Sequence, residues 1–263
     1  MQPAIIFFDL DGTLIPFGRT DLSPKLKYTF HALQKQSILL YACTGRPAFL
    51  VPDFGFDGMI CFNGALALTK DGKILVSHQL NPEQTHRLVQ NAQRMNLDFF
   101  IASQNGLIGT NEQNPTLQYA KMNGISVSFL SVSSEDTKEV NEPAYSIMLD
   151  CPPEQMKRLF DGCPDLHPMI WSPGSMDIVN INADKRKTLL EILNALNIPR
   201  EKSLAFGDGQ NDIPMLKAAG TGVAMANADD SIKKNSDAIC LSVDEDGVYE
   251  YLLQHGVILP AAV

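Results

Sequence analysis

Two aspartates two positions apart, Asp9 and Asp11, end the segment Phe7-Phe8-Asp9-Leu10-Asp11-Gly12-Thr13. The run Ala4 to Leu10 is otherwise apolar, as expected for a strand buried on both faces of a sheet. A carboxylate inside such a run is costly to desolvate unless a partner or a reaction requires it. At the carboxyl end of a parallel strand it faces the crevice where α/β proteins bind ligands. Gly12 permits a sharp turn there, so that both carboxylates face the crevice. One can serve as nucleophile and the other as general acid and then base. The plain structural reading is a strand ended by an Asp-Gly turn, with both side chains capping backbone groups.

Three further segments carry chemistry-bearing residues. Ala42-Cys43-Thr44-Gly45-Arg46 also follows a buried strand. A hydroxyl on Thr44 and backbone N–H groups around Gly45, placed at a helix start, would receive a phosphoryl oxygen. An ordinary Thr/Gly helix cap is the alternative. Phe206-Gly207-Asp208-Gly209-Gln210-Asn211-Asp212 frames a glycine-bearing loop with Asp208 and Asp212, which suits Mg²⁺ coordination by hard oxygens. A turn with an Asn211/Asp212 helix cap would look the same. Asp184-Lys185-Arg186-Lys187 heads a helix, where a lysine could neutralise a phosphoryl group or simply stay solvated.

Electrostatics joins the four segments. Two unit charges ~4 Å apart interact by about 4 kcal/mol at an effective dielectric of 20, so gathering Asp9, Asp11, Asp208 and Asp212 is unfavourable unless cations balance them. A divalent metal and a lysine supply that balance, and a metal also orients phosphorus for in-line attack.

The elements that must position these residues fall into two patterns. Strand and helix signals alternate up to Asn81-Pro82, with a strand over 4–10, a helix from Ser23-Pro24 to about Gln36, strands over 38–42 and 58–62, and a Lys70-Asp71-Gly72-Lys73 hairpin turn. Between about 82 and 182 come a helix over 83–94, short strands over 97–102, 126–130, 145–149 and 176–181, and a helix over 154–160. Alternation then returns, with helices over 184–196, 213–219, 230–235 and 246–254 and strands over 203–206 and 221–224. The expected fold is α/β: a Rossmann-like parallel-sheet core formed by 1–81 and 183–263, with an inserted α+β domain over 82–182.

The 263 residues are 44% hydrophobic and 19% charged, a balance suited to a folded core. A formal net charge of −9 without a basic stripe argues against nucleic acid and acidic membrane surfaces, while small anionic substrates stay compatible. No apolar run is long enough to span a bilayer, and Met1 to Asp11 lacks the basic region of a signal peptide. Five scattered cysteines without a C-x-x-C pair suggest reduced thiols and a cytoplasmic location, and the histidines have no zinc-like spacing. The expected assembly is a monomer or weak homodimer.

Taken in order, these segments resemble the four motifs of the haloacid dehalogenase superfamily. Asp9-Leu10-Asp11-Gly12-Thr13 is similar to its first motif, Thr44 in Thr-Gly-Arg to its second, and Gly207 to Asp212 to its fourth. Asn63-Gly64-Ala65, Gly222-Val223-Ala224-Met225 and Asp244-Glu245-Asp246-Gly247 resemble the Cof-type hydrolase branch, whose α/β cap sits where the insertion falls. The third motif departs, because Arg186 follows Lys185 with no glycine near. Lys185 nevertheless precedes Asp208 by 23 positions, the family's spacing, which favours it over Lys187.

The resemblance implies a Mg²⁺-dependent phosphatase acting on small phosphorylated metabolites, sugar phosphates foremost. It implies that Asp9 is the nucleophile and Asp11 the acid and base. Thr44, Gly45, Lys185 and Asn211 would hold the phosphoryl group, with Asn211 reaching that group or Lys185. Mg²⁺ would be held by the Asp9 carboxylate, the Asp11 backbone carbonyl and Asp208, with Asp212 supporting. The cap would set specificity, with Trp171, Met176 and Asp177 in its last strands able to reach the leaving group, although the first two suit core packing better. Two alternatives share the motifs: a phosphomutase, and a catalytically silent phosphometabolite-binding protein.

Overall fold

A computed structural model describes residues 2–122, 126–129, 143–172 and 174–260. In chain order come β1 (Ile5–Phe8), α1 (Pro24–Lys35), β2 (Leu39–Cys43), β3 (Gly58–Cys61), β4 (Leu66–Thr69) and β5 (Ile74–Ser77). Next are α2 (Pro82–Arg94), β6 (Phe99–Ser103), β7 (Gly106–Gly109), α3 (Pro115–Met122), β8 (Ser126–Phe129), β9 (Ala144–Asp150), α4 (Met156–Leu159), β10 (Leu166–Ser172) and β11 (Ser175–Asn180). The last group is α5 (Lys185–Ala195), β12 (Ser203–Gly207), α6 (Ile213–Ala218), β13 (Thr221–Ala224), α7 (Asp230–Lys233), β14 (Ala238–Ile239) and α8 (Gly247–Gln254). The chain forms two compact units, Met1–Gly45 with Pro52–Ser77 and Asp184–Val263, and Arg46–Val51 with His78–Ala183.

The first unit holds an eight-stranded sheet in the order β14-β13-β12-β1-β2-β3-β4-β5. Its strands run parallel from β14 to β3, and the β4–β5 hairpin closes one edge antiparallel. This is the α/β core expected from the sequence. β1 lies between β12 and β2 and is apolar at every position because helices cover both faces. On one face Phe8 stacks on Phe30 of α1 and on Phe206 of β12, and Tyr251 of α8 meets Phe206 edge-on. On the other, Phe7 joins Leu189, Ile192 and Leu193 of α5 and Met215 and Leu216 of α6. Burying such side chains contributes about 1.5–3 kcal/mol each. That burial holds a polar strand end in place.

Helix starts follow local chemistry. Ser23 caps α1 by accepting from Leu26 N, ahead of Pro24 at the first helical position. Asp184 caps α5 by accepting from Arg186 N at 2.7 Å.

The second unit has a six-stranded sheet in the order β10-β11-β9-β6-β7-β8, antiparallel except for the β7–β8 pair. Leu88, Val89 and Ala92 of α2 pack on Phe99, Ile101, Ile147, Leu149 and Ile178. Met176 belongs to this core and is 1% exposed. Asp177 is half-buried on the next position of β11, opposite Met148 and Met169. Trp171 lies in β10, with its side chain outside the described residues, as does Leu130 at the end of the expected 126–130 strand.

Several elements differ from the sequence expectations. β10 was not anticipated because Pro168 interrupts its pattern, and it is tolerated because β10 is an edge strand. β7 escaped because glycines occupy both its ends, and α3 and the two-residue β14 because they carry too little periodic signal. The helix expected over 154–160 is a 3-10 turn at Pro153–Gln155 running into the short α4. No α-helix begins after Thr44-Gly45-Arg46: a 3-10 turn at Ala48–Leu50 stands there, bounded by Pro47 and Pro52. A proline at 52 disfavours helical backbone at the residue before it, so the turn cannot lengthen. Among the described residues no helix is long and apolar enough to cross a membrane.

Candidate active site

Parallel strands deliver their carboxyl ends to one edge of a sheet, so the loops after β1, β2, β12 and β13 gather there. Asp9, Asp11, Thr44, Gly45, Lys185, Asp208, Asn211 and Asp212 all belong to the first unit. Asp9 follows β1 directly, and its backbone N–H extends the ladder by donating to Phe206 O at 3.0 Å. The chain then turns at Gly12, whose φ of 84° lies in the left-handed region. A Cβ at Gly12 would stand 2.2 Å from Asp208 Oδ2, so only glycine lets the two loops approach this closely. Asp11 bridges to Ile15 within the turn.

Lys185 enters from the first turn of α5. Its side chain is 1% exposed, and Nζ donates to Asp9 Oδ1 at 2.9 Å and to Asp212 Oδ1 at 2.6 Å. Lys187 is exposed on the same helix. The Asn63-Gly64 turn supports this helix start: Gly64 has φ of 102°, a Cβ there would meet the Asp184 backbone at 2.5 Å, and Thr188 Oγ1 donates to Gly64 O at 2.8 Å.

Asp212 is fully buried and doubly engaged. Its Oδ2 accepts from Asp208 N at 3.1 Å and Gly209 N at 2.9 Å, while Oδ1 accepts from Lys185. Asp208 Oδ1 accepts from Thr13 Oγ1 at 3.0 Å. Carboxylate oxygens of Asp9, Asp208 and Asp212 lie within 4.8 Å of one another. Such an all-oxygen, carboxylate-rich set fits Mg²⁺ rather than a soft metal.

Thr44 is buried at the end of β2, its N–H bonded to Ile60 O at 2.9 Å and its carbonyl accepting from Asn63 N at 3.1 Å. The expected helix start is corrected at this position, since a 3-10 turn at Ala48–Leu50 stands there and the Thr44 amide itself is spent on the sheet. Gly45 lies against Asn63, 3.1 Å from where its Cβ would be. Asn211 Nδ2 donates to Asn63 Oδ1 at 3.0 Å and does not bond Lys185, whose ammonium is held by Asp9 and Asp212. Asn227 was missed by the sequence reading, yet it joins the Gly12 turn to Asp208. Its partners are too distant in sequence for spacing to reveal it.

Charge is unevenly matched here, with three carboxylates around one ammonium. Burial pushes the Asp9 carboxyl well above the usual carboxylate range, with Asp212 adding to the effect and Lys185 opposing it. Asp208 is pushed up to about 6, by burial first and then by Asp212. Burial disfavours the Lys185 ammonium, but Asp212 and Asp9 outweigh it and hold the group above the usual lysine range. Cys43, beside the cluster, is driven upward by burial, so it stays a neutral thiol.

A pH response follows. Folded Asp208 keeps its proton up to about pH 6, whereas an unfolded aspartate releases it near 3.8. Between these values the folded protein binds more protons, so this group's contribution to stability falls as pH rises. In EDTA, the Asp208→Asn variant should gain melting temperature relative to wild type as pH rises through that window. A wild-type-to-variant difference that is constant from pH 4 to pH 7 would contradict the shift.

The family of haloacid dehalogenase-like hydrolases matches residues 6–252. Phosphoglycolate phosphatase of Methanopyrus kandleri is 26% identical over 265 residues, covering 95% of each chain. The 5-amino-6-(5-phospho-D-ribitylamino)uracil phosphatase YitU of Bacillus subtilis is 25% identical over 97% of this chain and 98% of its own. Among solved structures, the phosphatase BT1666 of Bacteroides thetaiotaomicron is 25% identical with a TM-score of 0.83, over 98% of this chain and 96% of that one. The subclass IIB sugar phosphatase BT4131, 23% identical over 97% of this chain and 99% of that one, shares the fold with a TM-score of 0.82.

Proposed function

The chain belongs to the haloacid dehalogenase-like hydrolases and is a phosphatase, and from that premise we propose a Mg²⁺-dependent, aspartyl-phosphate mechanism acting on small phosphorylated metabolites, sugar phosphates foremost. The observation that carries the proposal is the buried Asp9 carboxylate, fixed by the Lys185 ammonium at 2.9 Å beside the carboxylates of Asp208 and Asp212.

Asp9 is the nucleophile. Lys185 holds Oδ1, and among the described residues Oδ2 accepts no hydrogen bond, which leaves it for in-line attack on phosphorus. As the new O–P bond forms, the bond to the leaving oxygen breaks, and the Asp11 carboxyl gives that oxygen its proton. The Asp11 carboxylate then takes a proton from water, whose oxygen attacks phosphorus. This releases inorganic phosphate and restores the Asp9 carboxylate and the Asp11 acid.

Lys185 neutralises both the nucleophile and the transferring group, with the Thr44 hydroxyl, Gly45 and Asn211 contacting the phosphoryl oxygens. Asp9, the Asp11 carbonyl and Asp208 would hold Mg²⁺, with Asp212 bracing the loop and the lysine from behind. When bound, the ion offsets the clustered negative charge and polarises the phosphoryl group. The inserted domain over 82–182 is the element we assign to substrate choice. The core over 1–81 and 183–263 carries the chemistry, in a cytoplasmic monomer or weak homodimer.

The test is phosphate release from p-nitrophenyl phosphate and a panel of sugar and nucleotide phosphates, with Mg²⁺ and then with EDTA. Release that EDTA abolishes and Mg²⁺ restores is expected, with sugar phosphates leading the ranking. Undiminished turnover in EDTA would overturn the metal assignment, and a nucleotide-led ranking would overturn the substrate class.

A further inference from the structure

We infer that Asn227 is a positioning residue of the metal site, clamping the Asp208 carboxylate to the Gly12 turn; the inference rests on the magnesium reading above. Asn227 Nδ2 donates to Gly12 O at 2.9 Å and to Asp208 Oδ2 at 3.2 Å, while its Oδ1 accepts from Val243 N at 3.0 Å. These three partners define the orientation of the amide. Two acceptors meet the NH₂ group and one donor meets the carbonyl, an arrangement that a flipped amide would turn into three mismatches.

Topology brings the residue there. Asn227 follows β13, the sheet neighbour of β12, so its loop emerges beside the loop that carries Asp208. Backbone bonds then tie that loop down, with Met225 N donating to Gly207 O and Ala228 N to Met225 O, each at 3.0 Å. The side chain is solvent-accessible, yet both ends of its carboxamide are engaged.

Asp208 receives one side-chain donor on each oxygen, Thr13 Oγ1 on Oδ1 and Asn227 Nδ2 on Oδ2. Its plane is thereby set while each oxygen keeps a lone pair for a cation. Outer hydrogen bonds of this kind orient metal-binding carboxylates, and their removal typically costs 10–100-fold in metal affinity. Because the same NH₂ group holds Gly12 O, one amide couples the Asp9–Thr13 turn to the Gly207–Asp212 loop.

Isothermal titration calorimetry with Mg²⁺ on the whole chain tests this in wild type, Asn227→Ala and Asn227→Leu, the last retaining bulk without hydrogen bonds. A dissociation constant raised about tenfold or more is expected in both variants, with melting temperatures in EDTA close to wild type. Turnover of p-nitrophenyl phosphate should recover as Mg²⁺ is raised, at an unchanged substrate KM. Wild-type Mg²⁺ affinity in both variants overturns the role of Asn227, as does a lowered melting temperature in EDTA with unaltered affinity, the pattern of a purely structural contact. Wild-type protein that binds no Mg²⁺ overturns the metal site itself.

Discussion

Asp9→Asn is expected to lower phosphate release at least ~10³-fold without unfolding the protein, because the amide removes the attacking oxygen's charge and keeps its shape. The neighbourhood tolerates the change. Asp9 is 7% exposed and its carboxyl already sits well above the usual range under burial and Asp212, so a neutral group suits the pocket. Lys185 keeps its bond to Asp212 at 2.6 Å. Circular dichroism and melting temperature should therefore match wild type or exceed it, while acid-quenched, radiolabelled protein should carry no phosphate. Activity within tenfold of wild type would remove Asp9 from the nucleophile role.

Lys185→Met is expected to act on stability and activity together. The lysine is buried and bonded to two carboxylates, and breaking such an arrangement from one side costs about 3–5 kcal/mol, because charges stay buried without a partner. Its ammonium is held above the usual lysine range, so the stabilisation it gives is fully present at neutral pH and fades only in strong alkali. Urea unfolding at pH 7.5 should show the loss. At pH 5 the loss should shrink as Asp208, whose carboxyl is pushed up to about 6, takes up its proton. Phosphate release should fall by at least ~10³-fold, since both the nucleophile and the transferring group lose their cation. A variant as stable as wild type at pH 7.5 would mean that the buried carboxylates are neutral without it.

The parts of this site readable from sequence are those where one segment carries its own signal. An aspartate closing the apolar run of β1 can only face a strand end, and the same holds for Asp208 after β12. Which of three consecutive basic residues turns inward is different, because it depends on where the helix begins. Asp184 accepts from Arg186 N, and that start sets the phase which buries Lys185 and exposes Lys187. The Thr44 segment misled for a local reason, since prolines at 47 and 52 leave room for a 3-10 turn only. Pro168 hid β10, because a proline argues against a strand until the strand is known to lie at an edge. Asn227 was illegible in principle, as its three partners, Gly12, Asp208 and Val243, meet only in the folded chain.

The pairing of β1 with β12 bears on how the protein comes into being at the ribosome. Ile5 is aligned with Ser203 and Phe8 with Phe206, so one side of the central strand stays without its neighbour until most of the polypeptide has been made. Meanwhile β1 to β5 can pair only with one another, and the open edge of β1 offers unpaired amides to any passing strand. Contacts this remote in sequence are slow to form, and chains that wait with bare edges are the ones that aggregate or engage chaperones. Asp9 is synthesised among the first residues, yet it meets its lysine only after the second half of the core arrives. A nascent chain that stops before α5 therefore lacks the Asp9–Lys185 pair altogether.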